Sequence, residues 1–164
     1  ATAGHDTTSA TISGGMKALL EHPDQLLKLR ENPGLSMQAA REMIRWVSPV
    51  RHMMRTTTKD IELRGKTIKA GDSLCLWYPS ANRDSDAIED PDTFNIERDN
   101  RNQMAFGFGG HMCLGQHLAV LETALFFEEL LPRLEHIELA ADPDWVQAIF
   151  VGGLKSMPVR YTFR

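Results

Sequence analysis

A glycine-rich run around one cysteine constrains this chain more than any other feature. The run reads Phe106-Gly107-Phe108-Gly109-Gly110-His111-Met112-Cys113-Leu114-Gly115. Its glycines permit tight turns and a close approach of the backbone to a large, flat object. Leucines recur at helical spacing directly afterwards, which predicts a helix from about Leu114 to Leu131. Cys113 therefore stands just before a helix, where unpaired N–H groups and the helix dipole stabilise a thiolate.

The residues alone leave three interpretations of this cysteine open. A single cysteine is most often a small, inert core residue. His111, Cys113 and His117 could supply ligands to a zinc or redox-sensing module, but their spacing matches none of the usual paired zinc patterns and no fourth ligand is evident. A cysteine thiolate can also bind a haem iron and donate electron density toward bound oxygen. Zinc is the weaker of the two metal interpretations.

Charge and composition exclude several other classes of function. The net charge is −4 and there is no basic run with interleaved aromatic residues, so we expect no nucleic-acid partner. No stretch approaches the roughly 18 apolar residues of a spanning helix, and no signal peptide is visible, so we expect no membrane partner. Cys75 and Cys113 are too few for a disulfide framework and fit a reducing compartment, which predicts a cytoplasmic protein. Nothing argues for an oligomer, and we expect a monomer.

The pattern of apolar residues predicts a mainly α-helical fold with small β-sheets. Apolar residues already follow helical spacing near the start of the sequence, so we expect a fragment that was cut inside a longer helix. Val50 to Tyr78 reads as strands, and residues 79–112 are polar and irregular; a loop of this length is expected to have a function. The other expected elements are helices to about Leu20, from about Pro23 to Glu31, and from a Ser36 cap to Ser48-Pro49, and a strand within Met157 to Phe163.

Two polar patterns are ambiguous when taken alone. Glu42 and Arg45 share one face of the third predicted helix, a spacing that usually gives a solvated surface pair. The opening helix is rich in threonine, serine and glycine and has poor helix propensity. Close helix packing would explain that composition. A helix lying against a ligand would explain it too, with Gly4 weakening the backbone hydrogen bonds and Asp6 and Thr7 relaying protons.

Taken together, these segments resemble the cytochrome P-450 family of haem-thiolate monooxygenases. The family's cysteine loop has the form Phe-Gly-x-Gly-x-x-x-Cys-x-Gly, which this chain matches at Phe106, Gly107, Gly109, Cys113 and Gly115. The resemblance covers residues 1–164. It implies the carboxy-terminal portion of a single domain more than twice this length.

Three further motifs follow the family's order along the chain. Ala3-Gly4-His5-Asp6-Thr7-Thr8 resembles the oxygen-activation segment of the long central helix. Glu42-Met43-Ile44-Arg45 matches the Glu-x-x-Arg helix, and Phe94-Asn95-Ile96-Glu97-Arg98 resembles the meander that completes an ion-pair cluster with it. By this resemblance Glu42, Arg45 and Arg98 are structural, tying the meander to the core beneath the cofactor.

The resemblance also implies a site built around haem b. Cys113 would be the axial ligand of the haem iron, and Asp6 and Thr7 would be catalytic by delivering protons to bound oxygen. The substrate pocket would include Gly4, Val50, Met53 and the turn at Phe150-Val151. Phe106, Gly107 and Gly115 would lie against the cofactor, and Arg55 and His111 would bind its propionates.

The activity implied is insertion of one oxygen atom of O2 into a C–H bond of a small hydrophobic substrate. His111 stands where membrane-bound members usually carry arginine, which favours a soluble bacterial type. Such enzymes usually receive electrons from a ferredoxin with its ferredoxin reductase. Several stretches look similar to a bacterial terpene-alcohol hydroxylase of the α-terpineol type, while a sterol, fatty acid or alkane remains an alternative substrate. We expect these 164 residues alone to hold haem poorly and to be inactive.

Overall fold

Helices and short two-stranded sheets make up the computed structural model, which describes residues 2–164. The helices are α1 (Thr2–Glu21), α2 (Pro23–Glu31), α3 (Ser36–Val47), α4 (Tyr78–Ala81) and α5 (Gln116–Leu130). The strands are β1 (His52–Thr56), β2 (Ile61–Leu63), β3 (Lys66–Ile68), β4 (Ser73–Trp77), β5 (Leu134–Leu139), β6 (Asp144–Trp145), β7 (Leu154–Ser156) and β8 (Val159–Phe163). All strand pairs are antiparallel: β1–β4, β2–β3, β5–β8 and β6–β7. The predicted mainly α fold with small sheets is confirmed.

Proline and left-handed residues explain most of the element boundaries. Pro23 begins α2, where its missing N–H costs no hydrogen bond. Ser48 adopts a left-handed conformation with φ of 44° and ends α3 directly before Pro49. Arg64 and Gly65 both have positive φ, 48° and 76°, and form the tight turn between β2 and β3.

One expected helix cap is wrong, and one helix starts two residues later than expected. Ser36 was expected to cap α3 but is its first residue, and the cap position belongs to Leu35, which makes no side-chain capping bond. The Ser36 hydroxyl instead donates to the Glu128 carboxylate on α5, because a hydrogen bond to a charged group is stronger than a local one. Helix α5 begins at Gln116 rather than near Leu114, since Gly115 occupies the cap position.

Helices α1, α3 and α5 pack around the main core. Its buried members include Leu19 from α1, Met43 from α3, Phe127 from α5, and Phe94 and Ile96 from the irregular segment. Close packing explains two of the glycines of α1, Gly14 and Gly15. A β-carbon placed on Gly15 would lie 2.7 Å from Met43 Sδ, and one on Gly14 would lie 2.6 Å from Val47 Cγ2. Because Gly14 and Gly15 have only a hydrogen in place of a side chain, α1 can pack closely against α3.

No helix within residues 2–164 combines the length and hydropathy required to cross a bilayer.

We expect Gly15→Ala to lower the free energy of unfolding by about 1 to 3 kcal/mol, because the added methyl overpacks the core against the fully buried Met43. The gain in helix propensity, about 1 kcal/mol, offsets only part of this cost. Gly4→Ala is the matched control in the same helix, since its β-carbon would meet nothing within 4 Å. Thermal unfolding followed by circular dichroism measures both. Equal effects of the two variants would show that α1 and α3 are not in close contact.

Candidate active site

The cysteine loop has a left-handed backbone conformation, which favours glycine, at two points. Gly107 and Gly109 have φ of 75° and 67°, in the left-handed region. A β-carbon on Gly107 would also lie 3.2 Å from the Tyr78 hydroxyl. The backbone N–H of Cys113 donates to the carbonyl of Phe106 at 2.8 Å and closes the loop. The two ends of the motif are therefore held together independently of any side chain.

Cys113 lies at the exposed end of this loop, directly before α5. Its neighbours Phe108, Leu114 and Leu118 are exposed by 74%, 101% and 58%. The leucines expected on one face of α5 thus form an uncovered apolar surface beside the thiol, whereas smaller residues such as Val120 and Ala124 make the buried face. A thiol beside an uncovered apolar surface is suited to a large apolar ligand.

The zinc alternative finds no support. His111, Cys113 and His117 are all exposed. Within residues 2–164, no group of three or more histidine, cysteine, aspartate or glutamate side chains is placed to hold a metal ion.

Below the loop, Glu42 and Arg45 form an ion pair that is completely buried, with no exposure of either side chain. Arg45 Nε donates to Glu42 Oε2 and Arg45 Nη2 donates to Glu42 Oε1, both at 2.8 Å. Arg45 Nη1 also donates to the carbonyls of Asn82 and Pro91, each at 2.8 Å. The pair is therefore not the solvated surface contact that its spacing usually indicates.

Arg98 joins the same carboxylate from the irregular segment. Its Nε lies 3.4 Å from Glu42 Oε1, and its Nη2 donates to the carbonyls of Asp90 and Thr93 at 2.9 and 2.8 Å. The backbone N–H of Asn95 donates to Glu42 Oε1 at 3.0 Å. The structure thus brings Glu42, Arg45 and Arg98 together. Removing one member of such a buried cluster costs about 3 to 5 kcal/mol, because it leaves an uncompensated charge.

Asn82 is a member of this network that the sequence reasoning did not single out. Its side chain is fully buried, its amide nitrogen donates to Ser48 Oγ at 2.8 Å, and its amide oxygen accepts from the N–H of Met104 at 2.6 Å. One side chain thereby connects the end of α3 to the residues entering the cysteine loop. An asparagine in a polar loop gives no sequence signal that separates this role from an ordinary turn residue.

Arg83 adds a third cation to the region of Arg45 and Arg98. Its guanidinium lies 4.4 Å from the ring centroid of Trp46 and 3.4 Å from the Asp92 carboxylate. Burial lowers the pKa of Arg83, and repulsion by Arg45 lowers it further. The aromatic face of Trp46 compensates part of that electrostatic cost.

The two predicted proton-relay residues lie on α1. Asp6 is exposed, and Thr7 is partly buried with its hydroxyl donating to the Ala3 carbonyl at 3.0 Å. The expected weakening of the backbone at Gly4 is not observed, since α1 continues without interruption from Thr2 to Glu21. A β-carbon at Gly4 would meet open space.

The remaining predicted residues lie on or beside β1. Val50 forms an isolated antiparallel bridge with Val151, which brings these two pocket candidates together. Met53 is 37% exposed, and Arg55 follows it on the same face of the strand, with Nη1 donating to the Met54 carbonyl at 2.9 Å. Across residues 2–164, no hydrogen bond or ion pair links Asp6, Thr7 or Arg55 to the cysteine loop.

Comparison with known proteins places this fold and loop in one family. The family model described as Cytochrome P450 matches residues 35–156. The chain is 49% identical to "Cytochrome P450-terp" of Pseudomonas sp over 162 residues, covering 99% of this chain and 38% of that protein. It is 42% identical to "Steroid C26-monooxygenase" of Mycobacterium tuberculosis (strain CDC 1551 / Oshkosh), covering 97% of this chain and 44% of that protein.

Comparison with solved structures gives the same family. The crystal structure of CYP108D1 from Novosphingobium aromaticivorans DSM12444 superposes with a TM-score of 0.93 at 43% identity, covering 99% of this chain and 39% of that one. The chain belongs to the cytochrome P450 family. It spans about two fifths of the length of the relatives that it matches.

The residues present fit the haem that this family implies. An exposed thiol, a bordering apolar surface and the open space beside Gly115 suit the face of a planar, largely apolar group. Arg55 and His111 are donors suited to carboxylates, and no carboxylate among residues 2–164 forms an ion pair with either.

We expect Asn82→Ala to lower the free energy of unfolding by about 1 to 3 kcal/mol, because it removes a fully buried amide and leaves the Met104 N–H without its acceptor, while the Ser48 hydroxyl keeps its hydrogen bond to the Arg45 carbonyl. Chemical denaturation measures the change. Asn102→Ala is the matched control: that side chain is exposed and makes one bond, to the Ala87 carbonyl, so its loss should cost less than about 0.5 kcal/mol. Indistinguishable losses would contradict the assigned role of Asn82.

Proposed function

We propose that residues 1–164 are the carboxy-terminal portion of a single haem-thiolate monooxygenase domain. The complete protein would insert one oxygen atom of O2 into a C–H bond of a small hydrophobic substrate. The observation that supports this most strongly is the closed, glycine-dependent loop that carries an exposed thiol to the start of α5. Membership of the cytochrome P450 family supports the same activity.

Haem b is the proposed cofactor, and Cys113 would be the protein ligand of its iron. When bound, a haem with a thiolate ligand supplies oxygen activation, because the thiolate donates electron density that favours O–O cleavage. Phe106, Gly107 and Gly115 would line the cofactor on the cysteine side. Arg55 and His111 would donate hydrogen bonds to its propionates.

The loop would hold Cys113 as a thiolate in a fixed position. The N–H of Cys113 is committed to the Phe106 carbonyl, so the backbone cannot turn the thiol away without breaking this bond. The thiol lies directly before the amino terminus of α5, whose unpaired N–H groups carry a positive partial charge. Glu42, Arg45 and Arg98 would act indirectly, by holding the segment that leads into the loop.

Thr7 and Asp6 would move protons on the opposite, substrate-facing side. The Thr7 hydroxyl donates to the Ala3 carbonyl, which leaves its lone pairs free to accept a hydrogen bond; its proton becomes available for transfer when the hydroxyl rotates away from that carbonyl. Asp6 is exposed and would exchange protons between Thr7 and solvent. The two side chains would thus deliver protons one at a time and limit the access of bulk water.

A terpenoid is the proposed substrate, and a sterol, fatty acid or alkane is the alternative. The pocket candidates Val50, Met53 and Val151 are apolar and Gly4 leaves space, which suits a hydrophobic molecule. Similarity to a protein named "Cytochrome P450-terp" supports the terpenoid, and similarity to one named "Steroid C26-monooxygenase" supports the sterol.

A ferredoxin with a ferredoxin reductase is the proposed source of electrons, on the basis of the resemblance to soluble bacterial members. A monomer in the cytoplasm is proposed, and the free thiols of Cys75 and Cys113 suit that reducing compartment.

We expect Cys113→Ser in the complete protein to abolish the strongly red-shifted Soret band of the reduced, carbon-monoxide-bound form, because an alcohol cannot replace a thiolate as donor. Cys75→Ser is the matched control, since it removes the other exposed thiol and should leave the band unchanged. The difference spectrum measures both. Absence of the band in the folded, haem-supplemented parent protein would refute the proposed function.

We expect Thr7→Ala to reduce product formed per reduced nicotinamide consumed by roughly tenfold or more, with hydrogen peroxide released instead, because a proton donor is lost. The adjacent Thr8→Ala serves as the control, as its side chain takes no part in the hydrogen bond to Ala3. The assay uses α-terpineol as probe substrate and counts nicotinamide, product and peroxide. Unchanged coupling in Thr7→Ala would remove Thr7 from the mechanism.

A further inference from the structure

The segment between β6 and β7, residues 146–153, presents an apolar tip. Ile149 and Phe150 are exposed by 81% and 48%. The tip is attached by backbone atoms to the residues directly before β1: Arg51 N–H donates to the Phe150 carbonyl and Gly152 N–H donates to the Pro49 carbonyl, both at 2.8 Å. The bridge between Val50 and Val151 lies between these two bonds. These contacts fix the tip relative to β1.

A separate contact fixes the tip relative to α1. Gly153 is buried against Ala10, which is 8% exposed. A β-carbon on Gly153 would lie 2.7 Å from Ala10 Cβ and 3.5 Å from Ala10 Cα. Neither of these atoms can move without displacing the helix. The hydrogen at Gly153 and the methyl at Ala10 therefore determine how closely the segment approaches α1.

Ala10 stands one helical turn after Thr7 and on the same face of α1. The distance between the apolar tip and the Thr7 face is thus set by the Ala10–Gly153 contact. Gly153 does not have a positive φ, so its backbone tolerates alanine and steric contact is the reason for glycine.

We propose that Ala10 and Gly153 are positioning residues that set the height of the Ile149–Val151 tip above the Thr7 face, and so determine how much of a bulky apolar ligand the tip contacts. This inference rests on the proposed function. Neither residue is proposed to touch the reacting atoms.

The test compares two probes on the complete, haem-loaded protein: imidazole and 4-phenylimidazole, which share the iron-binding nitrogen and differ by a phenyl ring. Spectral titration gives their dissociation constants. In Gly153→Ala the segment must move away from α1 to relieve the contact, so the tip should lose apolar contact with the phenyl ring. We expect the 4-phenylimidazole constant to rise roughly tenfold, the equivalent of about 50 Å² of lost apolar contact, while the imidazole constant stays within about twofold.

Two variants separate positioning from a general loss of structure. The double variant, Ala10→Gly with Gly153→Ala, again has one methyl at the contact, now carried by residue 153. It should restore both dissociation constants to within about twofold of the parent. Gly152→Ala adds the same methyl at the neighbouring residue, but there it meets the flexible Arg51 guanidinium, 2.3 Å from Nε, and should leave both constants unchanged.

The outcomes are distinguishable. A selective, rescued effect in Gly153→Ala supports the inference. Equal loss of both probes, or no restoration in the double variant, overturns it while the proposed function stands. If Gly153→Ala does not fold, Ala10→Gly alone decides, because it creates no clash. It should change the ratio of the two dissociation constants about fourfold, the value of one buried methylene. An unchanged ratio overturns the inference. A parent protein without a thiolate-ligated haem spectrum overturns both proposals.

Discussion

The buried charge of Arg45 is the constraint on which the rest of the structure depends. A guanidinium with no solvent exposure needs partners for its five N–H groups, and Glu42 alone cannot supply them. The carbonyls of Asn82, Pro91 and Thr93 complete the set, so residues far along the chain must fold back onto α3. A long segment without regular structure is thereby held in place through hydrogen bonds to a charge.

That segment in turn positions the cysteine loop. Asn82 accepts from the Met104 N–H, and the chain enters the loop directly afterwards, where Gly107 turns and the Cys113–Phe106 hydrogen bond closes it. Polar contacts therefore extend from the ion pair to the thiol. The helices contribute an apolar frame, whereas the direction of the thiol is decided by backbone hydrogen bonds.

Local signals in the sequence predicted the parts of the fold that depend on local chemistry. Pro23 marks the start of α2 and Ser48-Pro49 the end of α3, because both act through their own backbone geometry. Ser36 was misjudged because its partner, Glu128, is distant in sequence. Asn82 was missed for the same reason. The residues of the candidate site were found through family motifs, since spacing alone described the Glu42–Arg45 pair as a surface contact.

At the Ile149–Val151 tip, the atoms that hold the segment in place are not those of the side chains that it presents. Its hydrogen bonds to β1 use backbone atoms, and its contact with α1 uses a glycine that lies outside the tip. Replacing Ile149, which is largely exposed, removes none of these attachments and costs little free energy of unfolding. Such a segment is evolvable: its outer side chains can diverge between descendants of one ancestor while its position in the fold is inherited unchanged.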